Sequence, residues 1–91
     1  MRTTSLLAWA EQAIDLLEQL RDAPPRPGLA TCAHDFAATI VLLRPSVDDT
    51  DWGTILLGLE RWEAAYQPVL ARLPLTRSPS RELREILESP R

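Results

Sequence analysis

Cys32-Ala33-His34-Asp35 contains the chain's one cysteine and one histidine, two residues apart. A cysteine and a histidine can work as nucleophile and base, or as two ligands of one metal ion. On a helix, residues two apart point about 200° away from each other, so neither arrangement can form within one chain. The expected placement is a buried thiol on the apolar side and a solvated imidazole on the polar strip. A metal ion shared between two chains is the one arrangement that would use both. The carboxylates give no better site. Glu60 and Glu63 flank a helical stripe, and Asp48, Asp49 and Asp51 gather before a helix, so they read as a solvated face and a cap, not as a general acid–base pair. The sequence has no Glu-x-x-His repeat, no glycine-rich phosphate loop and no Gly-x-Ser-x-Gly elbow. These residue types predict a protein with no active site, no metal and no cofactor.

Charge limits the partners. The net charge of −3 argues against capture of nucleic acid or an anionic membrane by bulk electrostatics. The distribution is uneven, however. Residues 72–91 carry Arg72, Arg77, Arg81, Arg84 and Arg91 against Glu82, Glu85 and Glu88, which leaves −5 on the first 71 residues. Such a tail can contact a phosphate backbone, an acidic protein or its own body. The interspersed glutamates, and the lack of aromatic residues among the arginines, disfavour nucleic acid. All ten basic residues are arginine. Codon usage in a GC-rich bacterial or phage genome explains that bias, and selection for bidentate contacts is the alternative.

The elements that would carry these residues are helical. Thr3, Thr4 and Ser5 offer N-caps to a helix over about 5–22, in which Leu6, Ala10, Ala13, Leu17 and Leu20 recur at steps of four and three and Leu7, Trp9, Ile14 and Leu16 widen the apolar stripe. Glu11, Gln12, Asp15, Glu18, Gln19 and Asp22 occupy its other half. Pro24-Pro25-Arg26-Pro27-Gly28 stops it and reads as a stiff connection rather than a polyproline ligand. A second helix, apolar almost all round, is expected over 29–43, with Thr31, His34, Asp35 and Thr39 as its narrow polar strip; a strand at 39–43 is the rival reading, but no partner strand or hairpin signal accompanies it. After the acidic cap, Trp52, Ile55, Leu59, Trp62, Tyr66, Val69 and Leu73 alternate steps of three and four. That spacing predicts one long helix kinked at Pro68, with a break at Gln67 as the alternative. Ser78 and Pro79 then open a short helix whose apolar face is Leu83, Ile86 and Leu87. Its dipole complementarity is poor, so it needs a surface to dock on.

The expected fold is all-α: a small helical bundle of three main helices over 1–76 and a short C-terminal helix or tail over 77–91. One cysteine excludes an internal disulfide. The longest apolar run, Phe36 to Leu43, is far shorter than the roughly 20 residues that span a bilayer. The apolar stretch before Ala8-Trp9-Ala10 is too short for a signal peptide, so the expected compartment is the cytoplasm.

Candidate partner surfaces are apolar or basic. Leu57, Ala64 and Ala71 repeat every seven residues away from the tryptophan stripe, which marks Leu57 and Ala64 as contacts for self-association. Gly58 with Thr54 and Ala65 forms a small-residue strip suited to close packing within the chain. Arg77, Arg81, Leu83, Arg84 and Leu87 are the candidate contacts of the tail. The function expected from these features is a small non-enzymatic helical module that binds another protein as adaptor, chaperone or inhibitor and self-associates. An accessory DNA-binding protein using the C-terminal arginines is the alternative.

Overall fold

The computed structural model describes residues 2–75 and 77–89. Helices α1 (Arg2–Asp22), α2 (Leu29–Ile40), α3 (Trp52–Ala65), α4 (Gln67–Leu70) and α5 (Pro79–Glu88) follow in that order, with a 3-10 turn at Val47–Asp49. There is no strand among the described residues. The four longer helices form a ring in which α1 neighbours α2 and α5, and α3 neighbours the same two; α4 is one turn added to the end of α3. Hydrogen bonds fix their directions. Arg2 donates to the Leu87 carbonyl, Trp9 to that of Pro79, and Arg77 to the Gln12 side chain, so α5 runs antiparallel to α1. Glu63 meets Ser80 and Glu60 meets Arg84, which makes α3 and α5 antiparallel as well. With Trp62 on Cys32 and Gly58 against Thr39, α2 opposes α3. The result is an all-α, up-down-up-down bundle.

The core follows from the helical spacing. Leu6, Trp9, Ala13, Leu17 and Leu20 come from α1, and Leu29, Cys32, Ala33, Phe36 and Ile40 from α2. Ile55, Leu59 and Trp62 come from α3, and Leu83 from α5. All three indoles tie one element to another. Trp9 reaches Pro79, Trp62 reaches the Cys32 carbonyl at 2.9 Å, and Trp52 reaches the Val47 carbonyl at 3.0 Å. A buried indole N–H needs such an acceptor. Trp9 also meets Trp52 edge to face, and Phe36 tilts against Trp62.

Several boundaries differ from those expected. α1 begins at Arg2, so Thr3, Thr4 and Ser5 lie inside its first turn and do not cap it. α2 ends at Ile40 rather than residue 43. The next residues wind tighter, with Leu42 and Leu43 donating to the carbonyls of Thr39 and Ile40. Arg44 precedes a proline and is disfavoured in helical geometry. Its amide instead reaches the hydroxyl of buried Thr50, which itself donates to the Ser46 carbonyl. The long third helix is interrupted at Tyr66 (φ −109°, ψ 19°), with Pro68 in the first turn of α4. Proline there has no amide to donate to Ala64, so a new helix starts rather than a kinked one continuing. Of the acidic residues before α3, Asp51 is the cap. Its carboxylate accepts from the amide and hydroxyl of Thr54, which hold it below the usual aspartate range. Asp48 and Asp49 belong to the 3-10 turn.

Two glycines explain local approach. Gly28 sits at φ +82° at the N-terminus of α2, where a Cβ would stand 3.1 Å from Val69 Cγ2. Gly58 lets α3 approach α2, since a Cβ there would meet Thr39 Cγ2 at 3.1 Å. Of the small-residue strip expected to pack within the chain, Gly58 does so, whereas Thr54 and Ala65 stay exposed. The connection 23–28 reverses the chain between α1 and α2, and Arg26 Nη1 donates to the Arg72 carbonyl at 3.0 Å. No described helix is long and apolar enough to cross a membrane.

Candidate protein-binding surfaces

The short C-terminal helix is held by carboxylates far away in sequence. Glu63, on α3, accepts from the Ser78 hydroxyl at 2.6 Å and from the Ser80 amide at 2.8 Å. Ser78 Oγ in turn accepts from the Arg81 amide. A negative group thus sits at the positive end of the α5 dipole, which offsets the poor charge placement within the helix itself. Arg84 is clamped by Glu60 and Glu88, which raise its guanidinium further above its ordinary value. Arg77 pairs with Glu82 at 2.7 Å and reaches Gln12 on α1. Glu63 gave no local signal in the sequence, because its partners lie 15 and 17 residues downstream.

This arrangement redistributes the expected contacts. Leu83 has no exposed surface and belongs to the core, and Leu87 is half-buried against it. As partner contacts, Leu83 fails and Leu87 is largely used up, because docking on α1 and α3 consumes the apolar face of α5. A boundary at residue 76 crosses this shared core; residue 76 itself, and Pro90 and Arg91 at the tail's end, lie outside the described residues. Arg77 and Arg84 are engaged with their own body, whereas Arg81 keeps an exposed side chain. Leu57, Ala64 and Ala71 are exposed on the side of α3–α4 away from the core.

The cysteine and histidine do not meet. Cys32 is fully buried, and burial pushes its thiol above the ordinary value; His34 is exposed. Asp35 turns toward α3, not toward solvent, and accepts from the Tyr66 hydroxyl. That bond is the main reason the Tyr66 phenol is pushed up to about 12. Among the described residues no group of three or more metal-ligating side chains converges.

A surface that sequence reading did not isolate lies along the C-terminal half of α1. The 73–75 segment runs beside it and leaves an open groove whose wider half holds about 670 Å³. Leu20, Leu73 and Leu75 line it, with Asp15, Glu18 and Asp22 from the polar face of α1. A narrower continuation passes Leu16 and Gln12 toward Arg77. Glu11, Asp15, Glu18 and Asp22 recur at steps of four, three and four, so the acidic strip was readable; the wall opposite it was not. Comparison with protein-family models, curated proteins and solved structures finds no match.

Proposed function

We propose that this chain is a non-enzymatic helical module that acts by binding another protein, in the cytoplasm. One observation carries the reading: large aliphatic side chains remain exposed around a core that is already closed. Leu7 and Ile14 on α1 are 48% and 47% exposed, Val41 after α2 is 69% exposed, and Leu57 on α3 is 48% exposed. Scattered single apolar residues are ordinary on a surface. Here Leu7 and Ile14 lie two turns apart on one side of α1, and Leu57 shares its strip with Ala64, which is the geometry of helix-to-helix contact. Self-association through Leu57 and Ala64 belongs to the same proposal, since none of the described residues covers that strip.

The charge arrangement favours protein over DNA. Arg84 is paired with Glu60 of the body and Arg77 with Glu82 of the tail itself, and the exposed side of α1 is acidic, so a phosphate backbone would meet repulsion beside the tail. A photo-reactive residue placed at position 7, 14 or 57 in the native cell tests the reading. The expected result is a discrete adduct with another polypeptide, at twice the chain mass if the partner is a second copy. Absence of an adduct from all three positions, with the protein folded and present, overturns it. DNA binding that falls steeply with salt and disappears on reversal of Arg77, Arg81 and Arg84 to Glu would favour the alternative.

A further inference from the structure

We infer that the groove between α1 and the 73–75 segment receives a basic, amphipathic helical segment of a partner protein; this rests on reading the chain as a binding module. The floor is apolar and incompletely covered: Leu16, Leu73 and Leu75 are half-buried. The α1 rim is of one sign. Asp15, Glu18 and Asp22 are exposed, and none of them is paired with a cation among the described residues. The arginines at the two ends do not neutralise them, because Arg26 is turned to the Arg72 carbonyl and Arg77 to Glu82 and Gln12. An apolar floor rewards leucine-type side chains, and an acidic rim rewards lysine or arginine beside them while repelling phosphate and acidic peptides. From Gln12 to Ala23 the groove follows α1 for about 16 Å, or roughly three helical turns.

A second copy of this chain does not supply that ligand. Its basic residues gather over 72–91, but the amphipathic helix there, α5, holds Arg81 and Arg84 against Glu82, Glu85 and Glu88, and its apolar side is already buried through Leu83 and packed through Ile86 and Leu87. Offering that face to a neighbour would require unfolding the donor. The occupant is therefore a different protein with a free basic amphipathic segment.

The test uses the full chain and labelled synthetic peptides of about twelve residues. One carries leucine at helical three–four spacing with lysine elsewhere. A second has the same composition scrambled to remove the apolar face, and a third has glutamate in place of lysine. At ~150 mM salt, the first should bind with a Kd on the order of 10 µM, and the other two about tenfold or more weakly. Asp15→Lys with Asp22→Lys should weaken the first peptide about tenfold, whereas Leu57→Glu, on α3, should not change it. Amide chemical shifts of wild-type protein should move along α1 and residues 73–75. Equal binding of the scrambled peptide, insensitivity to the charge reversals, or shifts confined elsewhere overturns the groove assignment. Failure of every peptide, alongside adducts from position 7, 14 or 57, overturns the groove and leaves the binding-module reading standing.

Discussion

α1 and α5 lie side by side in the bundle, yet they use their charges in opposite ways. Arg77 and Arg84 on the C-terminal segment are met by Glu82, Glu60 and Glu88, and Glu63 closes the N-terminus of α5. On α1, Asp15, Glu18 and Asp22 face outward without a partner among the described residues. The lengths explain the difference. α1 has 21 residues, five of them buried, and is anchored chiefly by its apolar side. α5 has 10 residues, of which only Pro79, Ser80 and Leu83 are buried, so it needs polar tethers as well. A charge that holds a helix in place has little left for a partner. Arg77 and Arg84, which look available in the sequence, are therefore occupied in the structure, and the acidic residues of α1 that look like ordinary solvated surface are the ones without a partner among the described residues.

The contrast would break most severely if α5 proved dispensable. Deleting residues 77–91 should abolish the cooperative thermal transition in circular dichroism, because it removes Leu83 from the core and strips Trp9 of its acceptor. This reverses what a separable tail would do. Leu83→Ala is the milder form and should cost about 2–5 kcal/mol in denaturant unfolding, a large part of the stability of a domain this size. A truncated chain that melts normally would show that α5 is an accessory. Glu63→Gln tests the polar tether alone. It should cost about 1–2 kcal/mol, with the loss seen first as faster amide exchange in α5.

Two smaller effects sharpen the comparison. Asp35 is a carboxylate with a partner, unlike those of α1, and Tyr66 is the chain's one tyrosine, so phenolate absorbance reports their bond directly. The folded-state phenol lies above its ordinary 10.0, at about 12. The stability from this bond is therefore complete below pH 10.0 and is lost as pH rises through about 12. Asp35→Asn should move the titration back toward the ordinary value; an unchanged curve would mean the bond is absent in solution. The smallest effect belongs to α1. Asp15→Lys, Glu18→Lys and Asp22→Lys should each leave stability within about 0.5 kcal/mol of wild type, whereas Arg84→Glu, placed against Glu60 and Glu88, should visibly lower the melting temperature. Equal responses at both places would erase the distinction between tethering and free charge.

Much of the architecture was legible in the chain because helical periodicity is a local property. Alternating steps of three and four put Leu6, Ala13, Leu17 and Leu20, and again Ile55, Leu59 and Trp62, on the faces that became the core. The same reasoning separated buried Cys32 from exposed His34, and the Ser78–Pro79 start of α5 was read from cap chemistry. Local rules were weaker at element ends. Caps compete with continued winding at Thr3–Ser5, and Pro68 could either kink a helix or restart one.

What the sequence by itself determined is therefore the set of helices and their apolar stripes, since propensity, capping and burial patterns act over a few residues. The tertiary structure decided which charges are occupied across the bundle. Glu63 reaches Ser80 across 17 residues, Arg84 reaches Glu60 across 24, and Arg77 reaches Gln12 across 65. Nothing in the spacing of those residues along the chain encodes such pairings. They exist because α5 completes the ring between α1 and α3, and the same closure lays residues 73–75 beside α1 to make a groove from an otherwise ordinary polar face.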